Sequence, residues 1–267
     1  MMQTCYLNQY KAFLLDIDGV LVHDGEPIPG AAAAVERLQR SGPVLLFTNN
    51  STRTRDTIAA RLQRSGFPVE PEMVMTSAQI AACYLHETVG LCNLWPLGEE
   101  GLTAELCLAG HRLASPGEAA WVVVGMDRQI TYAKLADALC ALHTGARLLA
   151  TNNDATFPSP SGLQPGAGAI VGALAGMGYP PDVIVGKPSP IAYRIALDKI
   201  GHSPEEILMI GDRLETDILG ANCAGTDSAL LLSGVSSRAD ITKLGIIPTL
   251  IAPDLAALVR GEGSLCS

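Results

Sequence analysis

Short runs rich in Val, Ile and Leu alternate with helix-period stretches from residue 12 to residue 251. A chain that returns to a strand after every helix builds βα units, and successive βα units make a mainly parallel sheet. The pattern predicts strands over 12–15, 44–47, 73–75, 121–124, 147–150, 182–185, 207–210, 229–232 and 249–251. It predicts helices at "GAAAAVERLQRSG", "RDTIAARLQRSG", "TYAKLADALCALHTG" and "SPIAYRIALDKIG". Each of these ends in a glycine suited to a left-handed C-terminal cap. The hexapeptide "RLQRSG" at 37–42 and 61–66 reads as the last turn of two of them, with Arg facing the negative dipole end.

The middle of the chain changes character. "NLWPLGEEG", "HRLASPGEAAW" and "NNDATFPSPSGLQPGAG" read as loops richer in Pro, Gly and Ser than the connections elsewhere. We read 79–185 as an inserted α/β domain with strands of its own, and 1–78 with 186–267 as the two halves of one core. The expected fold class is α/β: a Rossmann-like parallel-sheet core carrying an inserted second domain.

Charge and cysteine usage narrow the function classes. Eighteen Lys and Arg against 27 Asp and Glu give a net charge of −9, and no basic cluster is present to hold a nucleic-acid polymer. The seven cysteines (Cys5, Cys83, Cys92, Cys107, Cys140, Cys223 and Cys266) are widely spaced with no C-x-x-C. They are expected to be reduced, buried thiols and not a zinc site or a disulfide framework. No stretch offers the ~18 unbroken apolar residues of a membrane span, and the N-terminus lacks a signal-peptide core. The expected location is the cytoplasm, and the composition is compatible with a homo-oligomer.

The residues that follow the strands carry the chemistry. "FLL" is followed by Asp16 and Asp18, "VLLF" by Thr48, Asn49 and Asn50, "VIVG" by Lys187, and "ILMIG" by Asp212 and then Asp217. Parallel strands point one way, so residues past their C-terminal ends gather along one edge, where open α/β sheets bind ligands. Three acids in one place suit a hard divalent cation, and Mg²⁺ commonly combines one or two carboxylates with phosphate oxygens. Thr48, the main-chain N–H groups of the 48–50 turn and Lys187 would hold the rest of a phosphate's charge. Residues i and i+2 of an extended chain share a side. Asp16 could therefore attack phosphorus while Asp18 handles the proton of the leaving alcohol. Gly19 lets the chain leave the strand sharply.

"DIDGV", "FTNNS", "GKP" and "GDRLETD" resemble the four ordered motifs of the haloacid-dehalogenase superfamily of phosphatases. "GVLVHDGEPIPGA", "VGMD", "TNND" and "GAGAIVGAL" are similar to its NagD-like branch, in which an α/β cap is inserted between the second and third motifs. The resemblance implies Asp16 as nucleophile and metal ligand, and Asp18 as general acid/base that also gives its main-chain carbonyl to the metal. It further implies Thr48 and Asn49 as phosphate contacts, Lys187 as the cation steadying nucleophile and phosphoryl group, Asp212 as Mg²⁺ ligand, and Asp217 as its neighbour or as a partner of Lys187. Asn152 and Asp154 are candidate groups of the cap, either facing the substrate or fixing their loop. The implied activity is Mg²⁺-dependent hydrolysis of a small phosphorylated metabolite: a nucleotide, a sugar phosphate, phosphoglycolate, pyridoxal phosphate or 4-nitrophenyl phosphate.

Each residue alone has an ordinary explanation, since an acid after a strand commonly caps a helix or forms a turn. Two other functions also use an aspartate of this kind: a signalling module that stores phosphate on it, and a metal-independent dehalogenase. A signalling module lacks a second acid two residues on, and a dehalogenase has no use for Asp18 and Asp212. "GAGAIVG" (166–172) mimics a dinucleotide fingerprint, but no strand precedes it, so a small-residue helix is expected there.

Overall fold

A computed structural model describes residues 6–157, 159 and 162–266; Cys5, and Pro158, Pro160 and Ser161 of the "FPSPSG" stretch, lie outside them. The chain divides into two compact units, one of Met1–Thr48, Ile58–Met75 and Tyr193–Ser267, the other of Asn49–Thr57 and Thr76–Ala192.

The first unit is built on a seven-stranded sheet. Its order is Ser264–Leu265, Leu250–Ala252, Asp227–Leu231, Ile207–Gly211, Ala12–Leu15, Val44–Thr48 and Val74–Thr76. Ala12–Leu15 pairs in parallel with both neighbours, Leu15 lying opposite Ile210 on one side and Leu46 on the other. These three strands are buried along their whole length, as expected of a parallel sheet covered on both faces. One cover is the helix Ala31–Ser41, whose Ala31, Ala34, Val35 and Leu38 form a single buried stripe. From Ala12–Leu15 the chain continues to one side of the sheet, and Ile207–Gly211 begins the strands on the other. The strand order therefore reverses between these two neighbours, which is where a crevice opens in such sheets.

The second unit has a five-stranded sheet ordered Val183–Ile184, Arg147–Ala150, Trp121–Val124, Asn93–Leu97 and Arg112–Leu113, all paired in parallel. Val122, Val124, Leu148 and Ala150 from its strands pack with Ala138, Ala141 and Leu142 of the helix Tyr132–His143 and with Ile170, Val171 and Leu174 of Ala167–Gly176. "GAGAIVG" thus belongs to a packed helix. The segment Asn49–Thr57 is tied into this unit at several points. Ser51 Oγ accepts from Met126 N at 3.1 Å, Gly101 N donates to Thr52 O at 3.1 Å, and Arg55 Nε pairs with Glu105 Oε1 at 2.8 Å.

Three expectations are corrected. "NLWPLGEEG" is not a loop; it forms the strand Asn93–Leu97 and the start of the helix Glu100–Leu108. Pro96 is tolerated because the neighbouring Arg112–Leu113 strand pairs only with Asn93 and Leu94, so no ladder bond asks for the missing N–H. None of the six described cysteines is buried: Cys107, Cys140 and Cys223 are exposed and the others intermediate, all of them free thiols. The exposed three sit on short or amphipathic helices whose buried faces are filled by Ala, Leu and Gly, with Glu105 beside them in Glu100–Leu108. Gly42 is extended, with φ 171°, and not left-handed. A Cβ there would lie 1.9 Å from Lys11 O, whereas Gly66, in the second "RLQRSG", is left-handed at φ +84° with open space around it. The same hexapeptide needs its glycine for two different reasons. Val183–Ile184, inside the 79–185 insert, lies in the second sheet with Leu149 and Ala150 as its partners.

Among the described residues no helix is long and apolar enough to cross a membrane.

Candidate active site

Two neighbouring strands of the first unit deliver the three acids. Asp16 follows Ala12–Leu15 and is tied to the adjacent strand by its N–H, which donates to Ile210 O at 2.9 Å. Asp212 follows Ile207–Gly211, and Asp217 sits in the π-helical turn Leu214–Ile218, a distortion that recurs at functional sites. Asp16, Asp212 and Asp217 each place a carboxylate oxygen within 4.8 Å of the others. Asp212 and Asp217 are buried and Asp16 is partly exposed. At an effective dielectric near 20, each ionised pair at such a distance repels by roughly 3 kcal/mol. A cation or a proton must balance that charge, and a set of hard oxygen donors fits a divalent cation such as Mg²⁺.

The scaffold around these acids leaves little slack. Val235 N donates to Asp212 Oδ2 at 2.7 Å and Ser236 N to Asp212 O at 3.0 Å. Arg213 N donates to Asp217 Oδ2 at 3.1 Å. Gly19 has φ +80°, and a Cβ on it would lie 2.4 Å from Asp212 Oδ2; its carbonyl accepts from Ser233 Oγ at 2.7 Å. Tyr193, wholly buried, donates its phenol to Asp217 O at 2.7 Å and meets Phe47 edge to face. Burial first, then the charges of Asp217 and Asp16, pushes that phenol well above its usual range, so it stays a donor.

Asp18 is exposed, Ile17 between the two acids is buried, and Thr48 is buried at the end of its strand. The strand itself stops at Leu15, and Ile17 O accepts from Leu21 N and Val22 N. A turn that starts at Ile17 therefore carries Asp18, while Asp16 continues the hydrogen bonding of its strand to Ile210.

The remaining candidates meet in the second unit. Asn49 Oδ1 accepts from Lys187 N at 2.8 Å, and Asn49 Nδ2 donates to Lys187 O at 3.0 Å and to Asp154 Oδ2 at 3.1 Å. Asn152 Nδ2 donates to Asn49 O at 2.9 Å, and Ser77 Oγ does so at 2.7 Å. Lys187 is 3% exposed. Sequence reasoning singled out Asn49, Lys187, Asn152 and Asp154 separately but missed Ser77, Tyr193 and the 233–236 loop. Ser77 and Tyr193 carry no motif signal, whereas "SGVSS" after a predicted strand was a signal of the same strand-end kind.

Comparison with known proteins matches residues 13–112 to a family described as haloacid dehalogenase-like hydrolase and residues 184–258 to one described as HAD-hydrolase-like. An acid sugar phosphatase of Staphylococcus aureus is 36% identical over 251 residues, covering 93% of this chain and 96% of that one. A p-nitrophenyl phosphatase from Archaeoglobus fulgidus superposes with a TM-score of 0.89 at 34% identity, covering 94% of this chain and 98% of that one. A glycerol phosphate phosphatase from Mycobacterium tuberculosis, solved in complex with calcium, gives 0.87 at 34% identity, covering 94% and 75%.

Proposed function

The chain belongs to the haloacid dehalogenase-like hydrolases, as a NagD-like phosphatase acting on phosphoric monoesters, and from that premise we propose that it hydrolyses a small phosphate monoester through an aspartyl-phosphate on Asp16. The observation that carries this reading is the meeting of Asp16, Asp212 and Asp217 where the strand order reverses. Mg²⁺ would be held by Asp16, Asp212 and the main-chain carbonyl of Asp18, with Asp217 beside them. When bound, it supplies positive charge that offsets the repulsion between a phosphate dianion and the Asp16 carboxylate.

The chain's own residues do the rest. Asp16 attacks phosphorus and the bond to the ester oxygen breaks, while protonated Asp18 gives its proton to the leaving alkoxide. Asp18, now a carboxylate, takes a proton from the water that attacks the phosphoryl group; phosphate leaves and Asp16 is restored. Thr48 Oγ1 and the main-chain N–H of Asn49 would bind phosphoryl oxygens, and the Lys187 ammonium would neutralise their charge. Three carboxylates argue against a metal-independent dehalogenase, whose nucleophile gains nothing from two acid neighbours.

The 79–185 insert would act as a cap that reads the non-phosphate part of the substrate, Asn152 and Asp154 among its candidate contacts, and excludes folded phosphoproteins. The relatives' names span sugar, aryl and glycerol phosphates, which supports a compact monoester as substrate and leaves the alcohol to experiment. Phosphate release from a panel of such esters, with Mg²⁺ and then with EDTA, tests the proposal. Metal-dependent release from at least one ester is expected; metal-independent turnover, or none on any ester, would refute it.

A further inference from the structure

A lysine ammonium rides on four rotatable bonds, so it is placed only as well as the main chain that carries it. Lys187 follows the short strand Val183–Ile184, and the last ladder-like bond before it is Val185 N to Ala150 O at 3.0 Å. Its own N–H and C=O therefore fall beyond the sheet. Both are taken by one side chain: Asn49 Oδ1 accepts the Lys187 N–H at 2.8 Å, and Asn49 Nδ2 donates to the Lys187 carbonyl at 3.0 Å. A primary amide paired with both main-chain groups of one residue acts as a strand neighbour would, without a strand.

We infer that the Asn49 side chain is the positioning residue for Lys187, an amide bracket that sets the lysine's main chain while the Asn49 main chain is left to bind phosphate. The inference rests on the role given to Lys187 above.

Three further observations support the bracket. Its orientation is fixed, because the second Nδ2 hydrogen goes to Asp154 Oδ2 at 3.1 Å and a flipped amide would set N–H against N–H at Lys187. Its base is fixed, because Asn49 O accepts from both Asn152 Nδ2 and Ser77 Oγ. Its space is reserved, because a Cβ on Gly186 would lie 2.7 Å from Asn49 Oδ1 and 2.2 Å from Thr151 O. The glycine of "GKP" thus makes room for the bracket. Aspartate at position 49 would have the same shape, yet it would set an acceptor against the Lys187 carbonyl and a like charge against Asp154. Serine or threonine would be too short to reach both groups.

The test compares wild type with Asn49→Asp and Asn49→Ala in the full chain. Deuterium exchange is followed on peptides covering Gly186–Ser189 and, as an internal reference, Ile207–Gly211. Both variants should exchange at least about tenfold faster over the first segment with the reference unchanged, and the reference also reports whether the variants are folded. Misplacing a group by about 1 Å can lower turnover by around 10²-fold. With 4-nitrophenyl phosphate, kcat should accordingly fall about 30- to 100-fold while KM moves less than about threefold. Unchanged exchange at Gly186–Ser189, or an effect confined to KM, would overturn the bracket. A wild type that turns over nothing while its variants still show the exchange contrast would sink the phosphatase reading and leave the bracket standing.

Discussion

Val235 and Asp212, 23 residues apart, are joined by a main-chain N–H that donates to the carboxylate Oδ2 at 2.7 Å. A Cβ on the intervening Gly234 would lie 1.9 Å from that same oxygen. The loop after the Asp227–Leu231 strand thus grips an acid that belongs to the strand beside it.

Gly234→Ala should therefore turn the Asp212 carboxylate away from its neighbours. Outer partners of metal ligands typically contribute about 10- to 100-fold in affinity, so Mn²⁺ binding followed by electron paramagnetic resonance should weaken by at least about tenfold. An unchanged dissociation constant would remove the loop from the construction of the site.

Asp16→Asn should lower turnover by on the order of 10³-fold or more, because the amide cannot serve as nucleophile. It also removes one of three mutually repelling charges, so without divalent cation the variant should melt no lower than wild type. Substantial residual turnover would exclude Asp16 as the attacking group.

Added Mg²⁺ should stabilise the folded protein, by about 2.7 kcal/mol at a hundredfold excess over its dissociation constant. Thermal melts should register this as a rise that shrinks in Asp212→Asn. Equal shifts in the two proteins would place the cation elsewhere.

The Arg55–Glu105 pair holds the Asn49–Thr57 segment to the helix Glu100–Leu108, with Glu105 3% and Arg55 25% exposed in their side chains. Breaking a fully buried pair costs about 3–5 kcal/mol; with Arg55 partly hydrated, Glu105→Ala should cost about 2–3 kcal/mol in urea unfolding. A loss below about 0.5 kcal/mol, the range of ordinary surface changes, would show that the pair contributes little.

The hydrogen bond from Lys11 first, then those from Ser203 and His202, hold the Glu206 carboxyl down from 4.5 to about 2. A carboxylate with a depressed folded value contributes stability that is present above the unfolded value and lost as pH falls through the folded one. Glu206→Gln should flatten the fall in urea midpoint between about pH 4.5 and pH 2 and leave the curve above that window parallel to wild type. Parallel curves throughout would show that Glu206 carries no pH dependence.

Much of the core was legible because its signals are local. An apolar run of four or five residues ending in Asp16, Thr48 or Asp212 announces both a buried parallel strand and what stands at its end. The strand Asn93–Leu97 was not legible, since Pro96 argues against a strand until the short neighbour that spares its missing N–H is known. The two copies of "RLQRSG" look alike in sequence and differ in structure, because only Gly42 runs against another main chain.

The sequence by itself determined the α/β class, most strands of the first sheet and the kinds of group that follow them, because these depend on periods of two to four residues and on the first polar residue after each run. Only the tertiary structure decided that Asn49–Thr57 packs with the second unit and that Asn49 holds Lys187 from 138 positions away. Such choices rest on which main-chain groups are left unpaired once the sheets have formed. No local pattern encodes that remainder.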